Sequence, residues 1–334
     1  MSTIADVAAR AGVSKATASR ALSGNGYVSD TTRAKVRDAA GDLSYVAHPT
    51  AASLATGRTR TVSVIIPSVD RWFFAELLEG IQESLLAFDH DLTLYGVREG
   101  AAARTRLFED TLPRRRFDAT IAVGIPPRSD EMERLLRIGR PLVTVSSYDE
   151  RASAVSIDDP AAMRIATEHL IDLGHEDIVF LGGTEKPSEM SYSEAHRLAG
   201  YQGAMDAAGL NSRHRQVPAV STMPGGYAAA ADLLGDRRSR PTAIVGVCDE
   251  VAIGAIIAAR RLGIAVPTEL SVIGIDDHAH AEMFGLTTIQ QRPREQGREA
   301  VRLLRNRMDR PDDPIEHTVA ASTLAVRNST SMPR

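Results

Sequence analysis

Two periods of apolar residues divide this chain. Near its start they recur at helical spacing. Ile4, Val7, Ala8 and Ala11 fall on one stripe, Ala18 and Leu22 share a side of a second short segment, and Val36, Ala40 and Leu43 line a third. Thr3 stands where an N-cap belongs with Asp6 three residues on, Gly12 permits a tight turn, and Ser14 and Ser29 cap the second and third segments. The pattern predicts three short helices, the first two joined as a helix–turn–helix over Thr3–Leu22. From Thr61 onward β-branched runs alternate with amphipathic stretches. Strands are predicted at Val62–Ile66, Leu92–Tyr95, Thr120–Val123, Leu142–Val145, Ile178–Leu181, Ala243–Val247 and Val272–Ile275. Helices are predicted near Phe74–Ala87, Met132–Ile138, Ala161–Leu173, His196–Ala208, Tyr227–Leu234, Val251–Leu262 and Glu295–Arg307. Gly174, Gly209 and Gly263 stand where three of these helices close and the chain turns back. Such alternation specifies an α/β body of parallel sheets flanked by helices.

Charge sharpens the division. The 334-residue chain carries a net charge of −4, which alone argues against a nucleic-acid binder. Residues 1–60, however, hold eight Lys or Arg against four Asp, a surplus of +4 that leaves −8 for the remainder. A basic head on an acidic body is expected when only the head meets phosphate. No apolar run reaches the roughly 18 residues that span a bilayer, and the start of the chain reads as an amphipathic helix rather than a secretion signal. With a single cysteine, Cys248, no internal disulfide can form, so a cytoplasmic setting is expected.

The second helix would place Lys15, Ala16, Ser19 and Arg20 opposite its packing side, small and cationic groups suited to bases and phosphates in a major groove. In the body, ligands of open parallel sheets bind beyond the carboxyl ends of the strands. The polar residues there are Ser146 and Ser147, Asp158 and Asp159, Asp249, Asp276 and Asp277. The run Trp72-Phe73-Phe74 follows the first body strand in a chain with 4% aromatics. Trp72 or Phe73 is expected to face the cleft, offering a flat surface to the C–H face of a sugar ring, with Arg71 reaching in beside them and Phe74 in the core. Asp249 is expected to tether a helix start. An enzyme is not expected: Cys248-Asp249-Glu250 lacks a nearby histidine, and Asp277-His278-Ala279-His280 is a weak metal signal without further ligands. No phosphate- or dinucleotide-binding glycine loop is present, and no cofactor is expected.

The chain resembles the LacI/GalR family of ligand-responsive transcription regulators. The resemblance is carried by IADVAARAGVSKATASRAL (4–22), SLATGRT (53–59), EHLIDLGHEDIVFLGG (168–183), RLAGYQGAM (197–205), ELSVIGIDD (269–277) and LTTIQQ (286–291), in that order. It implies a helix–turn–helix head over 1–48, a hinge helix and linker over 49–60, and an effector-binding and dimerisation body over 61–328. That body resembles periplasmic binding proteins, with a near lobe at about 61–160 and 290–318 and a far lobe at about 161–289 and 319–328. The chain would cross between the lobes near Asp158–Ala161, Ile289–Gln291 and Val319. By the motif, Lys15, Ala16 and Arg20 read bases while Ser14, Thr17 and Ser19 anchor phosphates or cap helices. Leu54, with Ala55 beside it, takes the place of the hinge leucine that wedges into the minor groove. The segment departs from the family at Val46, Ala47, His48 and Ala52, where arginine, proline, asparagine and arginine are usual. Arg197, Asp276 and Gln291 fall on effector-binding positions. Ser146 and Cys248 stand where many relatives have aspartate and asparagine, and Ser221 lies near where an aromatic is common. The implied function is a sequence-specific regulator, a homodimer released from a pseudo-palindromic double-stranded operator when a sugar-like effector enters the cleft. A sugar receptor without a DNA role and a corepressor-type or activating regulator are the alternatives.

Overall fold

A computed structural model describes residues 2–23, 26–45, 58–97, 101–114, 116–125, 129–186 and 190–334. Two compact units result: residues 1–60 with 116–118, and the rest of the chain. The hinge residues Leu54 and Ala55, and the departures at Val46, Ala47, His48 and Ala52, lie outside the described residues.

The head is built from α1 (Ile4–Ala11), α2 (Lys15–Ser23) and α3 (Asp30–Asp42). Thr3 and Asp6 form a reciprocal capping box, Gly12 closes α1 at φ 67°, and Ser29 caps α3 by accepting the Thr32 amide. Val7, Ala8, Ala18, Ala21, Val36, Ala39 and Ala40 are buried together, with Leu22 and Leu43 packed at the edge. The small side chains let three short helices approach closely, and an Arg10–Asp42 pair at 2.8 Å ties α1 to α3 on the surface.

Among the described residues the body holds twelve strands: β1 (Thr61–Ile66), β2 (Asp91–Gly96), β3 (Ala119–Val123), β4 (Leu142–Val145), β5 (Ser153–Ser156), β6 (Ile178–Leu181), β7 (Gln216–Val217), β8 (Ala243–Gly246), β9 (Ser271–Asp276), β10 (Thr287–Gln290), β11 (His317–Val319) and β12 (Thr323–Ala325). They form two six-stranded sheets, ordered β11-β5-β4-β3-β1-β2 in the near lobe and β12-β10-β9-β8-β6-β7 in the far lobe. The helices that matter here are α4 (Trp72–Ala87), α5 (Ala101–Arg106), α6 (Ser129–Ile138), α7 (Asp159–Asp172), α8 (Tyr192–Ala207), α9 (Met223–Gly235), α10 (Asp249–Arg261), α11 (Ala281–Phe284) and α12 (Pro293–Asp309). β3, β4 and β8 are fully buried runs, as expected for strands covered on both faces.

The near-lobe sheet is parallel throughout, while β12 runs antiparallel to β10. The exception follows from connectivity. The carboxyl ends of both sheets face the space between the lobes, so a chain leaving one lobe enters the other from that side. After β5 and after β10 it enters as a helix, α7 or α12, which properly runs away from the strand ends. After β11 it enters as a strand, which must therefore run against its neighbours. Five strands are absent from the sequence-based expectation: β5, β7, β10, β11 and β12. They are two to four residues long and mix polar with apolar residues, so they lack the continuous apolar run that marks the equally short β6 and β8. The short α5 and α11 span six and four residues, too few to show a helical period.

One helix crossing in the near lobe depends on two glycines. Gly80 of α4 and Gly297 of α12 meet where these helices pack. A Cβ on Gly80 would stand 2.0 Å from the Arg294 carbonyl oxygen, and one on Gly297 would stand 2.3 Å from that of Leu77. Only hydrogen fits at that crossing.

Candidate DNA-reading face and effector cleft

On the head, Ala18 and Ala21 turn α2 inward, while Ser14, Lys15, Ala16, Ser19 and Arg20 are exposed and Thr17 is half-buried. Ser14 has a capping role: its Oγ accepts the Thr17 amide at 3.1 Å and lies 2.9 Å from Thr17 Oγ1. That leaves Lys15, Ala16, Ser19 and Arg20 as an open strip along the first turns of α2. The strip presents two cations with a methyl and a hydroxyl group between them. A guanidinium can pair with guanine O6 and N7, and a methyl can pack on thymine.

In the body, Arg197, Asp276 and Gln291 are brought together, and Trp72 and Arg71 of the near lobe meet His278 and Cys248 of the far lobe. Arg197 of α8 is almost fully buried. Its Nε donates to Asp159 Oδ1 at 2.7 Å, and Nη1 donates to the Val247 carbonyl at 2.7 Å while lying 3.9 Å from Asp276 Oδ1. The two carboxylates raise the affinity of the guanidinium for its proton against the cost of burial. Asp276, with φ 140° at the end of β9, accepts from Gln291 Nε2 at 2.6 Å, and Gln291 Oε1 accepts from Gln296 Nε2 at 3.1 Å. Of the two carboxylates, Asp159 makes the closer contact with Arg197, because α7 starts beside α8 at the first crossing. Burial pushes the Asp276 carboxyl above its ordinary range, a tendency that Arg197 opposes.

Trp72 begins α4, and its ring lies 4.9 Å from that of His278, which follows β9 in the other lobe. Among the described residues, the buried Trp72 Nε1–H has no hydrogen-bond partner. Phe73 instead meets Phe74 edge-on at 5.4 Å, and Phe74 packs against the near-lobe core. Of the aromatic run, then, Trp72 is the residue that faces the far lobe. His278 Nδ1 accepts the His280 amide at 2.9 Å, and burial lowers its pKa to about 4. With Nδ1 accepting, the neutral ring carries its proton on Nε2, so neither nitrogen is free to bind a metal without breaking that bond. No cluster of three metal-binding side chains occurs among the described residues.

Cys248 caps α10 without a side-chain cap bond, and burial pushes its thiol up to about 12. At neutral pH it stays protonated, which removes it as a nucleophile. Asp249, expected to tether a helix start, is the first residue of α10 and fixes that end to two other segments. It accepts from the His278 amide at 2.8 Å and Thr288 Oγ1 at 2.6 Å, joining α10 to β10 and to the end of β9. Ser146 sits at the end of β4 with φ 54°, its amide bonded to the Val155 carbonyl. Ser221 donates to Glu194, the carboxylate that completes the Ser191 capping box of α8.

Residues 3–48 match the model for bacterial regulatory proteins of the lacI family, and residues 167–330 match a periplasmic binding protein-like domain. Catabolite control protein A of Priestia megaterium is 33% identical over 314 residues, covering 92% of this chain and 93% of that protein. The chain belongs to the LacI family. Its relatives include the ribose operon repressor of Haemophilus influenzae, 30% identical over 335 residues and 98% of both chains. Among solved structures, a LacI-family regulator from Enterococcus faecium with bound ribose superposes with a TM-score of 0.73, at 27% identity over 82% of this chain and 100% of that one. This LacI-family chain is thus a DNA-binding transcriptional regulator with an N-terminal helix–turn–helix and a two-lobed α/β body. No helix among the described residues is long and apolar enough to cross a membrane.

Three cleft residues escape a reading of the sequence alone. Asp159 shows there only as a polar residue at a strand end, and nothing pairs it with Arg197. Glu250 and His278 stand out only as parts of enzyme-like runs. The signal that could find them is position, a few residues past the ends of β5, β8 and β9.

Proposed function

We propose that this regulator is a cytoplasmic homodimeric repressor of carbohydrate-utilisation genes, released from a pseudo-palindromic operator when a sugar-like effector binds between its lobes. The observation that carries the effector reading is the joining of Arg197, Asp276 and Gln291 in one buried polar chain with Trp72 nearby. Guanidinium, carboxylate and amide together suit adjacent hydroxyls, and an indole suits the apolar face of a sugar ring. The ribose operon repressor among its relatives and the ribose held by the regulator from Enterococcus faecium support the same class.

In this reading the head spans residues 1–48, the hinge and linker 49–60, and the body 61–328, with the near lobe at about 61–160 and 290–318. Lys15, Ala16 and Arg20 read bases; Ser14, Thr17 and Ser19 support the backbone contacts; Leu54 and Ala55 enter the minor groove. Ser146, Arg197, Cys248, Asp276, Gln291, Trp72 and Phe73 form the effector site, with Phe73 at its margin. One short reading helix contacts too few bases for selectivity, so two copies on a palindrome are needed. Effector acts by favouring one lobe arrangement over another, since equal affinity for both would shift nothing.

A mobility-shift assay on the DNA upstream of the gene, with random competitor and a panel of pentoses, hexoses and disaccharides, tests the proposal. A shift that survives competitor and is reversed by one sugar supports it. A shift that appears only with sugar would make the protein a corepressor-type regulator, and no selective shift under any condition would remove the repressor reading.

A further inference from the structure

Across the cleft, the near and far lobes are joined by a pair of opposite charges that the sugar reading does not use. Arg71, immediately before α4 in the near lobe, directs its Nε at the carboxylate of Glu250, on the first turn of α10 in the far lobe. Its Nη2 lies 3.6 Å from Cys248 Sγ. The side chains retain only 19% and 13% exposure. We propose that Arg71 and Glu250 form a latch that holds the two lobes together independently of effector, with Trp72 and His278 packed beside it.

The two charges sit differently on their helices. Glu250 is favourably placed, because a helix N-terminus carries partial positive charge. Arg71 is unfavourably placed at the N-terminus of α4 for the same reason. The acidic groups that favour its charged form, Glu250 and Asp276, both belong to the far lobe. The pairing therefore exists only while the lobes are together. Both groups are also largely out of water. A desolvated ion pair gains from its Coulomb attraction about what its burial costs, whereas one buried partner left alone is costly. Separating the lobes rehydrates both ends at once, so the latch is either made or opened and does not loosen by degrees. Such a near-balanced contact sets a bias that a ligand can tip. Because Arg71 also lies over Cys248 and feels the charge of Asp276, a molecule reaching those groups meets the latch directly.

The chain carries its own reporter, since Trp72 is its one tryptophan and lies against the opposite lobe. The experiment is acrylamide quenching of Trp72 fluorescence in full-length wild type, Arg71→Gln, Glu250→Gln and the double variant, without DNA or sugar. Circular dichroism would confirm that each variant is folded. Glu250→Gln keeps the shape of the side chain, so its effect reads the charge alone. The expected result is a quenching constant raised about threefold or more in each single variant, with the double variant no higher than the singles, as required when both mutations remove one interaction. Quenching equal to wild type in Glu250→Gln, or additive increases in the double variant, would overturn the latch. Because neither DNA nor sugar enters this measurement, its failure would leave the repressor proposal standing, and failure of that proposal would leave the latch standing.

Discussion

Arg20 and Arg197 show how one side-chain type does two jobs in two settings. Arg20 is exposed on a helix face, so its value appears only when a base edge meets it. Arg20→Ala is expected to cost about 1–3 kcal/mol of operator binding and to relax preference at one base position. Titration against operators varied one base at a time would show this; uniform weakening at every position would reassign Arg20 to phosphate. Arg197 is buried against Asp159, so its removal strands a carboxylate. Arg197→Ala should abolish the sugar response while operator binding persists, and should lower stability by about 3–5 kcal/mol, measured by denaturant unfolding. A normal sugar response in that variant would displace Arg197 from the site. His278 gives a prediction in pH. Its folded pKa lies near 4 against an unfolded value near 6.5, so the unfolded chain binds its proton first. The stability His278 contributes is full above pH 6.5 and is lost as pH falls toward 4. His278→Gln should therefore flatten the fall of Tm over that window, and an unchanged slope would deny the histidine this role. The caps Thr3, Ser14 and Ser29 are legible in the sequence because their partners lie three residues away. The partners of Arg197 and Arg71 are not, because they lie 38 and 179 positions off and are brought together only by topology.

Among the elements, long amphipathic helices announce themselves by a period that can be counted, and buried strands by an unbroken apolar run. The strands nearest the crossings do not. β10, β11 and β12 are three or four residues long and take their hydrogen bonds from neighbours fixed elsewhere in the chain. The crossing of α4 with α12 is equally invisible, because Gly80 and Gly297 look like ordinary helix-weakening glycines until the two backbones are seen in contact. At each of these two sites a methyl group would collide with backbone rather than with a movable side chain. Gly80→Ala is thus expected to destabilise the near lobe by about 1–3 kcal/mol, despite the better helix propensity of alanine. Thermal unfolding of the variant checks this, and a rise in Tm would mean the helices can separate without cost.

At the scale of the whole molecule, the unequal charge and the switch from helical to alternating pattern near Thr61 suffice to separate head from body. Sequence does not supply the arrangement around the cleft. Seven segments bring residues to it: the ends of β1, β4, β8, β9 and β10, the start of α7, and α8. Their mutual placement depends on two sheets facing each other with their carboxyl ends inward. The same arrangement lets one molecule in the cleft act on both lobes, which is the physical basis for coupling it to the DNA-binding head. The most direct test is the operator dissociation constant of the full-length protein, by fluorescence anisotropy, with and without the sugar that most raises its Tm. Saturating sugar is expected to weaken operator binding by about tenfold or more, equivalent to about 1.4 kcal/mol of coupling. An operator affinity identical in both conditions, with the sugar demonstrably bound, would contradict it.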